Sequence, residues 1–318
     1  MKLWNGIPYY PVSQFYKVKF GEKVYKVPVS TAETCPNREG LRGMKTCNFC
    51  DVWGSAAYPE IREQDLQAQI QKTKGRMQEL YNAKKFLVYF QAYTNTFEKT
   101  QRLEAQFETA FSDPDIIGAV VGTRPDCISG AVLKFWNSWA KTKFISVEIG
   151  VQTFNNEQLE WMRRGHTAEK SLWAIDKIAK ECPDIDLGIH LMFGLPGETD
   201  EQIVETAKLV NDLPIQNVKL HNLHVLKDTP LEEDYREGLF QPVDRQVYFE
   251  RCRIFLQHLS PEIAVHRLSA LSTRPDELVA PQWTARKMEM YQHMLDYMLD
   301  TGSWQSQKYN LAQAPTPT

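Results

Sequence analysis

The feature that most constrains the fold is a regular alternation of short apolar runs with segments of helical periodicity. The apolar runs have the length of strands, and the segments between them repeat apolar residues every three or four positions. Strands are predicted at 24–29, 86–91, 117–122, 144–150, 186–193, 217–221 and 264–268, and helices at 62–82, 97–111, 129–142, 168–181, 199–213 and 244–259. Apolar strands connected by helices predict an α/β fold with a parallel sheet. Roughly six or seven units are fewer than the eight of a full barrel, so we expect a partial (β/α)6-type TIM barrel.

The chain divides into three predicted regions. Residues 1–268 contain the partial barrel with an N-terminal strand segment, and residues 269–304 are expected to form a cap with a helix at 284–299. Residues 305–318 are rich in Pro, Thr and Gln and lack hydrophobic periodicity, which predicts a disordered tail. In either α/β architecture the chemistry is expected at the carboxyl ends of the strands.

Composition excludes a disordered or strongly basic protein. The 318 residues carry 37 Lys and Arg against 40 Asp and Glu, a formal net charge of −3. A nucleic-acid substrate stays possible, because a local basic groove can lie on a nearly neutral surface. The longest apolar runs, such as 116–121, are far shorter than the ~20 residues of a membrane span, so no membrane partner is expected. The N-terminus lacks the apolar core of a secretory signal, which favours a cytoplasmic protein.

Three of the six cysteines are clustered in the segment TCPNREGLRGMKTCNFC, directly after the first predicted strand. Eleven residues separate Cys35 from Cys47, and two separate Cys47 from Cys50. In a reducing compartment such thiols are metal ligands or reactive groups rather than disulfides. Three thiolates can hold a four-iron cluster and leave one iron open to a ligand, but by the spacing alone a zinc site with a fourth ligand from elsewhere is equally consistent. The isolated Cys127, Cys182 and Cys252 are expected to be buried packing residues, with Cys127 the one closest to a strand end.

Together with this motif, the blocks VEIGVQTFNNEQLEWMRRGHT and LGIHLMFGLPGETDEQI resemble the radical S-adenosylmethionine (SAM) superfamily. The likeness is to a bacterial subfamily related to the Elongator catalytic subunit and to oxygen-independent coproporphyrinogen oxidase, and it covers roughly residues 17–285. The resemblance implies an enzyme that reductively cleaves SAM at a 4Fe-4S cluster to generate a 5′-deoxyadenosyl radical. It also implies an electron donor such as flavodoxin or ferredoxin.

The resemblance implies a role for particular residues. Cys35, Cys47 and Cys50 would hold the cluster. The predicted SAM-binding residues are Phe49, Gln91, Ala92, Tyr93, Thr123, Arg124, Glu148, Gln152, Arg164, His190, Gly194 and Leu195. The predicted catalytic residues at the barrel mouth are Tyr93, Arg124, His221 and His224. Each has a structural alternative: the segment GLPGE can be a strand-to-helix turn, Glu148 an ion-pair partner, and the two histidines satisfied side chains at a strand end.

The substrate is less constrained. Cationic and aromatic residues expected at the mouth suit an anionic, planar substrate. The likeness to the Elongator catalytic subunit suggests modification of the tRNA wobble uridine, and the bacterial relatives suggest a carboxymethylaminomethyl side chain on that base. The region after the barrel is too short for an acetyltransferase domain, so acetyl transfer is not expected of this polypeptide. The alternatives are radical chemistry on a small metabolite or cofactor precursor, and a non-catalytic iron–sulfur or zinc protein.

Overall fold

The computed structural model describes residues 2–54, 63–270 and 274–309. The strands are β1 (Val24–Val29), β2 (Lys85–Phe90), β3 (Ile116–Thr123), β4 (Phe144–Gln152), β5 (Asp186–Phe193), β6 (Asn217–Asn222), β7 (Val225–Leu226), β8 (Ala264–Val265) and β9 (Leu278–Ala280). The helices are α1 (Val12–Phe20), α2 (Leu66–Tyr81), α3 (Thr100–Phe111), α4 (Gly130–Ala140), α5 (Asn156–Trp161), α6 (Ala168–Glu181), α7 (Asp200–Asn211), α8 (Pro230–Arg236), α9 (Arg245–His258) and α10 (Lys287–Asp300).

Seven strands form one parallel sheet in the order β1, β2, β3, β4, β5, β6, β8. One face of the sheet is apolar, as Ile145, Val147 and Ile149 of β4 illustrate, so helices cover this outer face and a hydrophobic core fills the space between. The predicted partial TIM barrel is confirmed. All of its parallel strands end at the same edge, so the segments that follow them meet there.

The predicted and observed element boundaries agree best where the hydrophobic pattern is longest. Strand β5 and helix α6 have the predicted limits. Helix α2 begins at Leu66, later than predicted, because Asp65 caps it by accepting a hydrogen bond from the Ala68 N–H at 2.8 Å. Strand β8 has two residues rather than five. The short elements α1, α5, α8, β7 and β9 were not predicted, since segments of this length carry too few periodic positions.

The C-terminal region that packs against the barrel extends past residue 304, where the predicted cap ends. Strand β9 pairs with β7 in an antiparallel ribbon, and Met290, Met294 and Met298 of α10 join the main core. The expectation of a disordered tail is wrong for residues 305–309. Gln305 is fully buried, and its side-chain amide donates to the carbonyls of Ser260 at 2.6 Å and Ile263 at 2.9 Å. A buried Gln whose donors are satisfied anchors this polar segment. Residues 310–318 lie outside the described residues.

Within the described residues, no helix combines the length and apolar character needed to cross a bilayer.

Candidate active site

A cavity of about 230 Å³ opens at the carboxyl ends of the parallel strands. The cysteine segment after β1 forms one wall, and residues within or after β2 to β6 and after β8 form the others. Fourteen of the predicted site residues line it: Cys35, Cys47, Phe49, Cys50, Gln91, Tyr93, Thr123, Arg124, Glu148, Gln152, Arg164, His190, His221 and His224. The strand ends therefore bring together most of the residues that the sequence indicated.

Three predicted residues do not line this cavity in the described structure. Ala92 is fully buried beneath it, and Leu195 belongs to a separate hydrophobic cluster. The Gly194 N–H donates to the Glu198 carboxylate at 2.8 Å, and Glu198 also pairs with Arg251 at 2.7 Å. The segment around Gly194 therefore acts as a strand-to-helix turn, which is the structural alternative that the sequence left open.

Hydrogen bonds hold the cysteine segment against the end of α5 and the residues just after it. The buried Asn37 side chain donates to the carbonyls of Lys45 at 2.7 Å and Arg163 at 2.5 Å, so one amide joins the two segments. Asn48 donates to the Trp161 carbonyl at 3.0 Å. Because these contacts satisfy backbone carbonyls in a buried interface, they hold the thiols in position.

Two of the thiols lie beside guanidinium groups. Arg164 Nη1 is 3.6 Å from the Cys47 sulfur, and Arg38 Nη2 is 3.6 Å from the Cys50 sulfur. Burial raises the pKa of Cys50 to about 12, although Arg38 opposes the rise. Burial thus disfavours the Cys50 thiolate, and the Arg38 guanidinium partly offsets this effect.

Three free cysteines, Cys35, Cys47 and Cys50, line the same cavity. In a four-iron cluster each thiolate binds a different iron at its own corner, so three thiolates can hold the cluster and leave one iron open. Across the described residues, no three His, Cys, Asp or Glu side chains are grouped closely enough to hold one metal ion.

The remaining cysteines are packing or strand-end residues. Cys182 and Cys252 are buried, and their thiols contact the carbonyls of Leu133 at 3.5 Å and Leu268 at 3.7 Å. Cys127 does not line the cavity, as far as the described residues define it. Burial and the neighbouring Asp126 carboxylate raise the pKa of Cys127 to about 12.

Unpartnered polar atoms identify where a ligand fits. Gln152 has a positive φ of 71° at the irregular end of β4, and its buried Oε1 has no hydrogen-bond partner. Arg164 donates to the Gly150 carbonyl at 2.9 Å, whereas its buried Nε is also unpartnered. A Cβ at Gly150 would lie 3.0 Å from Gln152 Nε2. Since buried polar atoms are normally satisfied, this acceptor and donor suit a polar ligand beside the thiols.

Arg124 lines the cavity but is already engaged. Its guanidinium donates twice to the Asp126 carboxylate, at 2.9 Å for each bond, and once to the Arg164 carbonyl at 2.5 Å. Asp126 raises the pKa of Arg124 and outweighs the opposing effect of burial. Arg124 therefore positions the segment that carries Arg164.

Glu148 is the centre of a buried ion cluster at the cavity floor. One carboxylate oxygen accepts from Lys26 at 2.5 Å, and the other accepts from Tyr89 at 2.8 Å and Lys219 at 3.0 Å and lies 2.6 Å from His190 Nε2. Burial opposes ionisation, but Lys219 and Lys26 outweigh it and hold the pKa of Glu148 well below its usual range. Both oxygens are committed to protein donors, which supports the ion-pair alternative for this residue.

The imidazoles around the floor are neutral at pH 7. Burial and Lys219 lower the pKa of His190 to about 4, and burial and Arg267 lower the pKa of His224 to about 4. Burial and Arg267 also lower the pKa of His221 well below its usual range. Neutral imidazoles can accept protons from a bound substrate.

Sequence reasoning missed Lys26, Tyr89 and Lys219, which complete the floor. Both lysines occupy positions within predicted apolar strands. A charged residue inside such a strand was the available signal, because it is costly to bury unless it meets a counter-ion. Its partner could not be read from the sequence, since Lys26 and Glu148 are 122 positions apart.

Two family models match the chain along most of its length. The Radical SAM superfamily model matches residues 29–210, and the Radical_SAM C-terminal domain model matches residues 215–299. The chain belongs to the radical SAM superfamily, as its sequence predicted. Members of this superfamily are enzymes that bind a 4Fe-4S cluster and SAM and require an electron donor.

The chain is also similar to particular known proteins. YtqA of Bacillus subtilis (strain 168) is 32% identical over 298 residues, which cover 93% of this chain and 91% of YtqA. The tRNA uridine(34) acetyltransferase of Methanocaldococcus jannaschii is 30% identical over 142 residues, which are 44% of this chain and 25% of that protein. Among solved structures, N-terminally truncated Elp3 from Methanocaldococcus infernus has a TM-score of 0.66 at 18% identity. The match covers 88% of this chain and 63% of that chain, and at this identity it shows the fold alone.

The observed residues fit both cofactors. Cys35, Cys47 and Cys50 would hold the cluster with Arg38 and Arg164 beside its sulfurs. The unpartnered Gln152 Oε1 and Arg164 Nε would provide an acceptor for the hydroxyl or amino groups of SAM and a donor for its carboxylate.

Proposed function

We propose that this radical SAM enzyme modifies the side chain of the wobble uridine in tRNA. The observation that carries the proposal is that cationic and neutral imidazole side chains line the same cavity as the thiols. Lys219, Arg267 and the neutral His221 and His224 line it together with Cys35, Cys47 and Cys50. Such a lining suits a polar, anionic side chain on a base. The partial similarity to a tRNA uridine(34) acetyltransferase and the fold shared with Elp3 support this substrate class.

When held by Cys35, Cys47 and Cys50, the cluster together with SAM would supply a 5′-deoxyadenosyl radical able to remove a hydrogen atom from the substrate. The protein positions the target. Tyr93, with its hydroxyl donating to the Val52 carbonyl at 2.6 Å, presents its ring at the cavity wall. His224 lines the cavity with an imidazole that is neutral at pH 7, so it can form a hydrogen bond with the substrate base. Arg124 has a positioning role through Arg164.

We also propose that an acidic flavodoxin or ferredoxin delivers the electron to the face around Cys47. Arg42, Lys45 and Arg163 are exposed there, and the Cys47 sulfur is 3.7 Å from the Arg163 carbonyl. Opposite charge steers association and increases the rate of encounter. Arg163→Glu is expected to slow cluster reduction by reduced flavodoxin and to leave reduction by dithionite unchanged. Equal slowing with both reductants would contradict this docking face.

The test of the tRNA proposal is nucleoside mass spectrometry of bulk tRNA from a strain that lacks this gene. We expect a wobble uridine nucleoside to be lost and its precursor to accumulate. Expression of the wild-type protein is expected to reverse the change, whereas the Cys47→Ala variant is not. An unchanged nucleoside profile would refute the proposal.

A binding measurement separates tRNA from the small-metabolite alternative. Contacts to several phosphates make the affinity for RNA fall steeply with salt. We therefore expect the purified protein to bind tRNA with a clear inverse dependence on salt concentration. A salt-independent affinity would favour a small substrate.

A further inference from the structure

Arg267 is a half-buried cation that forms no ion pair among the described residues. Its side chain lines the cavity, and its Nη2 lies 2.7 Å from Nδ1 of the neutral His221. Its Nε is buried and has no hydrogen-bond partner. No ion pair of Arg267 occurs within residues 2–54, 63–270 and 274–309, because the nearby carboxylates are committed elsewhere. Glu148 pairs with Lys26 and Lys219, and Asp51 pairs with Arg274.

The surrounding charges leave the floor of the cavity with an excess of positive charge. Lys26 and Lys219 both pair with the Glu148 carboxylate, and Arg267 adds a further positive charge without an ion pair among the described residues. Asp186, the other buried carboxyl near this layer, instead accepts from Ser146 at 2.7 Å and Asn217 at 3.0 Å. A buried cation without a counter-ion destabilises a fold, so a group retained in this state at a cavity wall is suited to an anion that arrives with a ligand.

Resting on the proposed function, we propose that Arg267 is a specificity residue that binds a carboxylate on the side chain of the substrate uridine. The planar guanidinium matches a carboxylate in two-point geometry, and the unpartnered Nε–H supplies one of the two donors. A carboxylate suits this position better than a tRNA phosphate. Arg267 follows β8 at the enclosed floor, which a base side chain can reach, whereas the phosphate backbone stays outside the cavity.

The test compares Arg267→Met with Arg251→Met in the cluster-loaded, SAM-free enzyme. Arg251 is a buried arginine that pairs with Glu198 at 2.7 Å. Removing it leaves a buried carboxylate unpaired, so Arg251→Met is expected to lower the Tm. Arg267→Met removes an uncompensated cation and is expected to leave the Tm unchanged or raise it. A Tm lowered as much by Arg267→Met as by Arg251→Met would assign Arg267 a structural role and overturn the proposal.

The ligand is probed directly with acetate, glycine and inorganic phosphate at constant ionic strength. We expect acetate and glycine to raise the Tm of the wild-type enzyme, and the acetate affinity to fall by about tenfold or more in Arg267→Met. Arg267→Lys is expected to retain part of the response, because it keeps the charge and loses the fork. A larger response to phosphate than to acetate, or the same acetate response in wild type and Arg267→Met, would overturn the proposal.

A SAM-binding measurement identifies the source of the carboxylate. If Arg267 binds the substrate, the Kd of SAM changes by less than about twofold in Arg267→Met. A tenfold weaker SAM affinity would assign Arg267 to the methionine carboxylate and overturn the proposal. These outcomes are independent of the tRNA test, since an Arg267-dependent acetate response can occur even where the nucleoside profile of the deletion strain is unchanged.

Discussion

Gly165 is packed directly against the Met44 side chain. A Cβ at position 165 would lie 2.2 Å from the Met44 sulfur, and Gly165 has a φ of +71°. Met44 lies between Cys35 and Cys47, whereas Gly165 follows α5, so the contact seats the cysteine segment on a neighbouring part of the barrel. The glycine in the segment RRGH therefore has a steric role in forming the cluster wall.

We predict that Gly165→Ala displaces the cysteine segment and lowers the iron and sulfide content after anaerobic reconstitution. The variant combines backbone strain of about 1 to 2 kcal/mol with a steric clash. Gly238→Ala is the matched control, because Gly238 has a φ of +75° but no atom within 4 Å of an added Cβ. Urea unfolding measures the loss of stability that both variants suffer from backbone strain. The difference in cluster content between them then reports the effect of the steric clash at position 165. Equal cluster content in the two variants would contradict the steric role.

Replacing Cys47 is expected to abolish the function of the cluster. Cys47→Ala removes one of three iron ligands, so we expect loss of most of the iron and a fall of roughly 100-fold or more in SAM cleavage. Cys182→Ala is the control, since Cys182 is buried in the core away from the cavity. It is expected to cost about 1 kcal/mol of stability and to leave cluster and activity intact. Methionine and 5′-deoxyadenosine are the products to measure. Wild-type cleavage by Cys47→Ala would exclude this cluster site.

Gln152 is predicted to contribute to the affinity for SAM. Its buried Oε1 lacks a partner in the protein, so a hydrogen bond from SAM would satisfy it. Gln152→Leu is expected to raise the Kd of SAM about tenfold, which corresponds to roughly 1.4 kcal/mol. The exposed Gln241→Leu provides the control with the same chemical change. Equilibrium dialysis with the cluster-loaded protein measures both, and equal affinities would remove Gln152 from the SAM site.

The stability of the protein is predicted to depend on pH through Lys219. Burial lowers the pKa of Lys219 to about 7, although Glu148 opposes the shift. An unfolded lysine has a pKa of about 10.4, so between about pH 7 and pH 10 the unfolded chain holds a proton that the folded chain lacks. The contribution of Lys219 to the free energy of unfolding therefore rises with pH in this window, by up to about 1.4 kcal/mol per pH unit.

Urea unfolding of wild type and Lys219→Met at pH 7 and pH 9 tests this prediction. The free energy of unfolding of the wild type, minus that of Lys219→Met, is expected to increase by about 2 kcal/mol when the pH is raised from 7 to 9. The difference isolates Lys219, because buried cysteines and tyrosines that titrate nearby are present in both proteins. Lys208→Met, at an exposed surface pair with Glu205, is expected to show no such shift. A pH-independent difference for Lys219→Met would mean that Lys219 is not desolvated as described.

Much of the fold could be predicted from local patterns. The apolar runs in β1 to β6 indicated a parallel sheet, and parallel strands necessarily place Cys35, Glu148 and His221 near one edge. The tail was predicted less well. Gln305 is polar, which suggested disorder, yet it is buried because carbonyls from distant segments accept its protons.

The sequence by itself indicated the alternation of strands and helices through local periodicity and the three clustered cysteines through their spacing, and its resemblance to known sequence blocks indicated the family. Only the tertiary structure decided what each polar residue does. Glu148 is held by Lys26 and Lys219, whereas Arg267 is left without a carboxylate. The difference depends on distances between side chains far apart in the chain, and in a low-dielectric interior those distances govern which charges are paired.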